Sequence, residues 1–82
     1  MEEVFFLEVM KADHLKDYQL LIEFNDGTSM IVDLKGSLEG KVFEPLKEHA
    51  FFQKFSIRYN TIEWPNGADF APEYLYGIGK RI

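Results

Sequence analysis

The residues best equipped to bind or react lie in one run, Trp64-Pro65-Asn66-Gly67-Ala68-Asp69-Phe70-Ala71-Pro72-Glu73-Tyr74-Leu75-Tyr76, which holds the only Trp and two of the four Tyr of the chain. Three roles suit it. As structure, Trp64 anchors a core, Asn66-Gly67 makes a turn, and Asp69 accepts backbone N–H bonds at the start of a final helix. As a surface, Asp69 and Glu73 beside Trp64, Asn66, Tyr74 and Tyr76 receive a partner's Arg. As a small metal or catalytic site, the two carboxylates hold a divalent ion or act as a dyad, which would need burial and a raised pKa that the sequence does not display. The expectation is a partner-binding patch, with no catalytic residue, metal or cofactor assigned.

Other chemistries find little support. The absence of Cys removes thiolate nucleophiles, thiolate zinc sites and disulfide exchange. His14 and His49 stand 35 positions apart with no ligand partner at usable spacing, and read as ordinary surface residues. Ser29, Ser37 and Ser56 stand outside any Gly-x-Ser-x-Gly elbow. Gly77-Ile78-Gly79-Lys80 lacks the helix that a phosphate-binding glycine loop requires after it, and reads as a frayed tail.

These side chains must be positioned by elements whose periodicity is legible. Residues 4–12 alternate as a strand, and Lys11 to Asp17 reads as a short polar reversal. Residues 18–24 put Tyr18, Leu20, Ile22 and Phe24 on one face. Asn25-Asp26-Gly27 then turns the chain into an apolar face of Met30, Val32 and Leu34, a hairpin signature. Gly36 and Gly40 bracket no more than one helical turn. A broken helix is expected from Pro45, with Phe43, Leu46, Ala50, Phe52 and Phe55 on its apolar side and an interruption near His49. Residues 56–59 and 62–64 suggest a second hairpin around Asn60-Thr61, and Pro72 to Tyr76 a short helix ended by Gly77 and Gly79. The fold class expected is α+β: one small domain over residues 1–82, an antiparallel sheet in the order βββ-α-ββ-short α with helix packed on one face.

At 82 residues, 46% of them hydrophobic, the chain can build one small core. Its net charge is −5, with nine acids and four bases in residues 1–41 and five of each in residues 42–82. That balance opposes direct binding to nucleic acid or anionic lipid. Glu8, Glu23, Asp26 and Asp33 suggest a solvated acidic face on the first strands, suited to a basic partner. No run nears the ~20 apolar residues of a membrane span and the start is not basic, so the cytoplasm is expected. Exposed sheet edges and eight Phe are compatible with a homodimer.

Taken in order, Leu20-Leu21-Ile22-Glu23-Phe24-Asn25-Asp26-Gly27-Thr28, Val32-Asp33-Leu34, Gly40-Lys41-Val42-Phe43-Glu44-Pro45-Leu46-Lys47, Phe52, Trp64-Pro65-Asn66-Gly67-Ala68-Asp69, Pro72-Glu73 and Leu75-Tyr76 resemble the bacterial domain-of-unknown-function family 2442, nearly end to end. The resemblance implies a small α+β domain and no established activity. Some similar proteins continue into a helix-turn-helix, and others stand beside a second small protein as toxin and antitoxin do. The functional expectation is therefore a non-enzymatic protein-interaction module, antitoxin-like or an adaptor, whose partner is another protein, a small basic one fitting best. The alternatives are a transcription-regulatory accessory domain that reaches DNA only through a partner, and a small metal-binding protein or enzyme using Asp69 and Glu73.

Overall fold

The computed structural model describes residues 6–82. Its first three strands, β1 (Val9–Lys16), β2 (Gln19–Phe24) and β3 (Ser29–Asp33), form an antiparallel meander with β2 at its centre. Period-two alternation drives it: Leu20, Ile22, Phe24, Met30 and Val32 are buried on one face, while Leu21, Glu23, Ile31 and Asp33 occupy the other. Residues 25–27 turn β2 into β3, with Gly27 at φ +86°, the left-handed position that closes a three-residue hairpin loop. Asn25 contributes differently from a turn-former, because its side chain bonds the backbone of Phe6 and Glu8 and ties down the segment ahead of β1.

β1 is where expectation and structure part. The strand expected over residues 4–12 has its first two residues outside the described ones, and the described strand runs four residues further, through the segment read as a polar reversal. β1 is an edge strand exposed over most of its length, so it carries Lys11, Asp13, Leu15 and Lys16 without an apolar pattern. Register shifts between Val9 and Lys11 and between His14 and Lys16 interrupt its alternation, and the reversal is confined to Asp17 and Tyr18.

A 3-10 turn (Lys35–Ser37) and a 3-10 helix (Lys41–Lys47) lead into α1 (His49–Phe52). The helix expected from Pro45 thus starts four residues earlier, as 3-10 winding. The expected break falls at Glu48, whose carboxylate accepts the N–H of Ala50 to cap α1. β4 (Ser56–Arg58) and β5 (Thr61–Glu63) form the second hairpin, turning at Tyr59 and Asn60, both with positive φ as a type I′ turn requires. Thr61, expected in that turn, is instead buried in β5 and donates its hydroxyl to the carbonyl of Phe70.

α2 (Pro72–Ile78) opens with Pro72 in its first turn and ends at Gly79. Of the expected frayed tail, Gly77 and Ile78 belong to α2, and Lys80 begins a strand, β6 (Lys80–Arg81), paired antiparallel with β3. There are consequently two sheets, β1-β2-β3-β6 and β4-β5, rather than one of five strands. The fold is a single small α+β domain. Leu46, Phe52, Ile62, Trp64, Phe70 and Leu75 pack with the buried face of the larger sheet, and no described element covers its other face.

Gly79 makes the last strand attainable: a Cβ there would lie 2.7 Å from Met30 Sδ and 3.0 Å from Met30 Cβ, whereas one on Gly77 would meet nothing within 4 Å. Gly79→Ala should destabilise the chain by about 1–3 kcal/mol through overpacking. Gly77→Ala should stabilise it by up to about 1 kcal/mol, since α2 gains a better helix former. Urea unfolding of the two variants checks both signs.

Candidate functional site

The Trp64–Tyr76 run is shaped by a tight turn and a short helix. Pro65 and Asn66 are the inner residues of a turn closed by the Gly67 N–H on the Trp64 carbonyl (2.9 Å), with Gly67 at φ +87°. The N–H of Trp64 then donates to the Ala68 carbonyl, and Glu63 forms an isolated antiparallel bridge with Asp69. Residues 68–70 therefore extend the β4-β5 sheet by a short stretch. The Asn66 side chain joins this turn to the 3-10 helix, donating to the Val42 carbonyl (2.8 Å) and accepting from the Ala68 N–H.

The six residues singled out by the sequence do not form one patch. Trp64 is 1% exposed, donates its indole N–H to the Phe52 carbonyl (2.7 Å), and packs against Phe52, Phe55 and Phe70. Tyr76 is half-buried against Phe24, donates to Asp26 (2.8 Å) and accepts from Arg81 (2.9 Å). Asp69, Glu73 and Tyr74 are exposed, and Asn66 is exposed but bonded as above. Asp69 does not cap α2: the residue ahead of the helix is Ala71, which makes no side-chain cap. Glu73 lies in the first turn, where its charge complements the helix dipole. Among the described residues, no three His, Asp or Glu side chains are grouped to hold a metal ion.

Tyr74 belongs to a feature that spacing did not reveal. Its ring stacks on Phe70 with centroids 5.5 Å apart and planes 13° apart, and Phe70 stacks on Phe43 at 4.8 Å and 17°. Three near-parallel rings thus run from the 3-10 helix to α2. Tyr74 is 44% exposed at one end, steadied by a 2.6 Å bond between its hydroxyl and Ser37 Oγ. Val42, beside Phe43 in the chain, is also exposed. Phe43 and Phe70 are 27 positions apart, so only the packing of the 3-10 helix on the α2 loop brings them together.

A cleft of about 350 Å³ lies elsewhere, between the β1-β2 turn, the end of β3 and α1, lined by Asp17, Tyr18, Gln19, Asp33, Lys35 and His49. Tyr18 stacks on His49 (4.9 Å, 23°) and donates to the Lys47 carbonyl. His14 Nε2 lies 2.9 Å from the Asp17 carbonyl oxygen. These contacts are internal ties, and the lining is mostly polar and charged.

The acidic face expected on the first strands is dispersed. Glu23 stands opposite Lys11 in the β1-β2 register, Asp33 accepts the Lys35 N–H, and Glu8 is half-buried. Glu23 thus has a basic neighbour across the strands, whereas Asp33 stands opposite Gln19. Asp26 is held below the ordinary carboxylate range by the Thr28 backbone N–H, then by the Tyr76 hydroxyl, with Arg81 adding a favourable charge. A folded-state pKa below the unfolded one contributes stability at neutral pH that is lost as pH falls through it. Asp26→Asn should therefore flatten the loss of stability between roughly pH 5 and pH 2 relative to wild type, read by urea unfolding across that range.

The family model for "Protein of unknown function (DUF2442)" matches residues 9–81. No curated protein and no solved structure matches the chain. No helix among the described residues is long and apolar enough to cross a membrane.

Proposed function

Because the chain belongs to the DUF2442 family, for which no activity is known, its role has to come from its own surface, and we propose that it is a non-enzymatic protein-interaction module of the bacterial cytoplasm, antitoxin-like or an adaptor. The observation that carries this reading is the ring stack Phe43-Phe70-Tyr74, open to solvent at Tyr74 and accompanied by the exposed carboxylates of Asp69 and Glu73. An exposed aromatic face held rigid from behind, with acidic side chains close in sequence, suits an Arg that stacks on the ring and pairs with a carboxylate. A basic partner fits better than an acidic one, and the net charge of −5 steers its approach. Asp69, Glu73 and Tyr74 are the contact residues, Asn66 holds the turn beside them, and Trp64 and Tyr76 act from within by fixing the loop and helix that present them.

The test is to purify tagged wild type and an Asp69→Ala/Glu73→Ala variant from the native host, identify co-purifying proteins by mass spectrometry, and titrate the purified partner calorimetrically. Wild type should hold one stoichiometric basic protein, and the double variant should bind it about tenfold or more weakly, as expected for loss of paired charges at an anchor. Equal affinity of the two chains, or no partner with either, overturns the reading.

A further inference from the structure

The face of the larger sheet that no described element covers has a charge layout that the strand register makes explicit. Its middle row runs Asp13, Leu21, Ile31, Lys80 across the four strands. To one side lie Lys11, Glu23 and Ser29, and to the other Lys16, Gln19 and Asp33. Ile82, 77% exposed, follows Lys80 in the alternation and donates its N–H to the Ser29 carbonyl. The centre of the face is apolar and half-buried, its middle row ends in an acid on β1 and a base on β6, and its charges sum to zero with three of each sign.

We propose that this face binds a second copy of the chain, in a two-fold dimer whose axis lies parallel to the strands. That rotation exchanges β1 with β6 and β2 with β3. It sets Asp13 of each copy against Lys80 of the other, Leu21 against Ile31, Glu23 against Ser29, and Gln19 against Asp33. The alternative axis, across the strands, sets Asp13 on Asp13, Lys80 on Lys80 and Lys11 on Lys16, three contacts between like charges, and forms no opposite-charge pair. A two-fold contact demands a self-complementary patch, and only the first arrangement supplies one. Joining edge to edge is opposed by the two register shifts of β1 and its lysines, and by the two-residue length of β6.

The footprint is small. Four strands about 4.8 Å apart and three rows of side chains offer on the order of 400 Å² per copy, about 800 Å² in total and below the roughly 1,000 Å² that a stable interface clears. Dimerisation is therefore concentration-dependent, in the range of weak, exchanging associations. It is independent of the Tyr74 surface, which lies on the helical side of the molecule.

Sedimentation velocity on the full chain from micromolar to millimolar concentration tests it. Wild type should shift from monomer to dimer. Asp13→Lys and Lys80→Asp should each weaken association by about tenfold or more, and the combined Asp13→Lys/Lys80→Asp exchange should restore it, because reversal of both partners rebuilds the opposite-charge pairs. Neither residue faces a charged side chain directly across its own sheet, so the fold should persist, and circular dichroism verifies this. Should a reversal unfold the chain, Asp13→Asn and Lys80→Gln serve in its place, each expected to weaken the dimer. A monomer at every concentration, a dimer indifferent to these changes, or failure of the double exchange to restore association overturns the proposal. Retention of the heterologous partner by the reversed variants keeps this result separate from that of the Tyr74 surface.

Discussion

The indole N–H of Trp64, donated to the Phe52 carbonyl, is the contact on which the rest of the structure depends. It joins the end of the β4-β5 hairpin to α1, and the same two rings meet at 5.5 Å. Phe52 in turn reaches Tyr18 and His14 at the corner of the larger sheet, while Trp64 reaches Phe70 ahead of α2. In so small a domain, with little surface to bury and no disulfide, one large aromatic anchor that also satisfies a buried carbonyl links the β4-β5 hairpin, α1, the larger sheet and the segment ahead of α2.

That arrangement places both helices and the small sheet against one face of β1-β2-β3-β6. Two surfaces follow from the asymmetry. On the helical side, Phe70 meets Trp64 at 84° and stacks on both Phe43 and Tyr74, so the core continues outward to the exposed Tyr74 ring. On the opposite side, Leu21 and Ile31 keep partial exposure amid charged neighbours. The described residues thus present one surface that ends in an aromatic ring and one of mixed charge, on opposite sides of the larger sheet.

The C-terminal strand ties the two sides together. Arg81 lies on the helical side of β6 and bonds Tyr76, which bonds Asp26 in the β2-β3 turn, whereas Lys80 emerges on the open face opposite Ile31. Trp64 and Tyr76, read from the sequence as surface contacts, thereby serve as internal fasteners, whereas Asp69, Glu73 and Tyr74 are exposed.

Local order was legible along the chain wherever it rests on neighbours in sequence. The Leu20-Ile22-Phe24 and Met30-Val32 alternation specifies β2 and β3, Gly27 their turn, Pro65-Asn66-Gly67 the reversal after Trp64, and Pro72 the start of α2, because each needs only a dihedral preference or a period of two. The extent of β1, the pairing of β6, the division into two sheets and the Phe43-Phe70-Tyr74 stack belong to tertiary structure. An edge strand needs no apolar alternation, a two-residue strand exists only while β3 offers it a ladder and Gly79 lets the chain pass Met30, and rings distant in sequence become neighbours only once the core has closed.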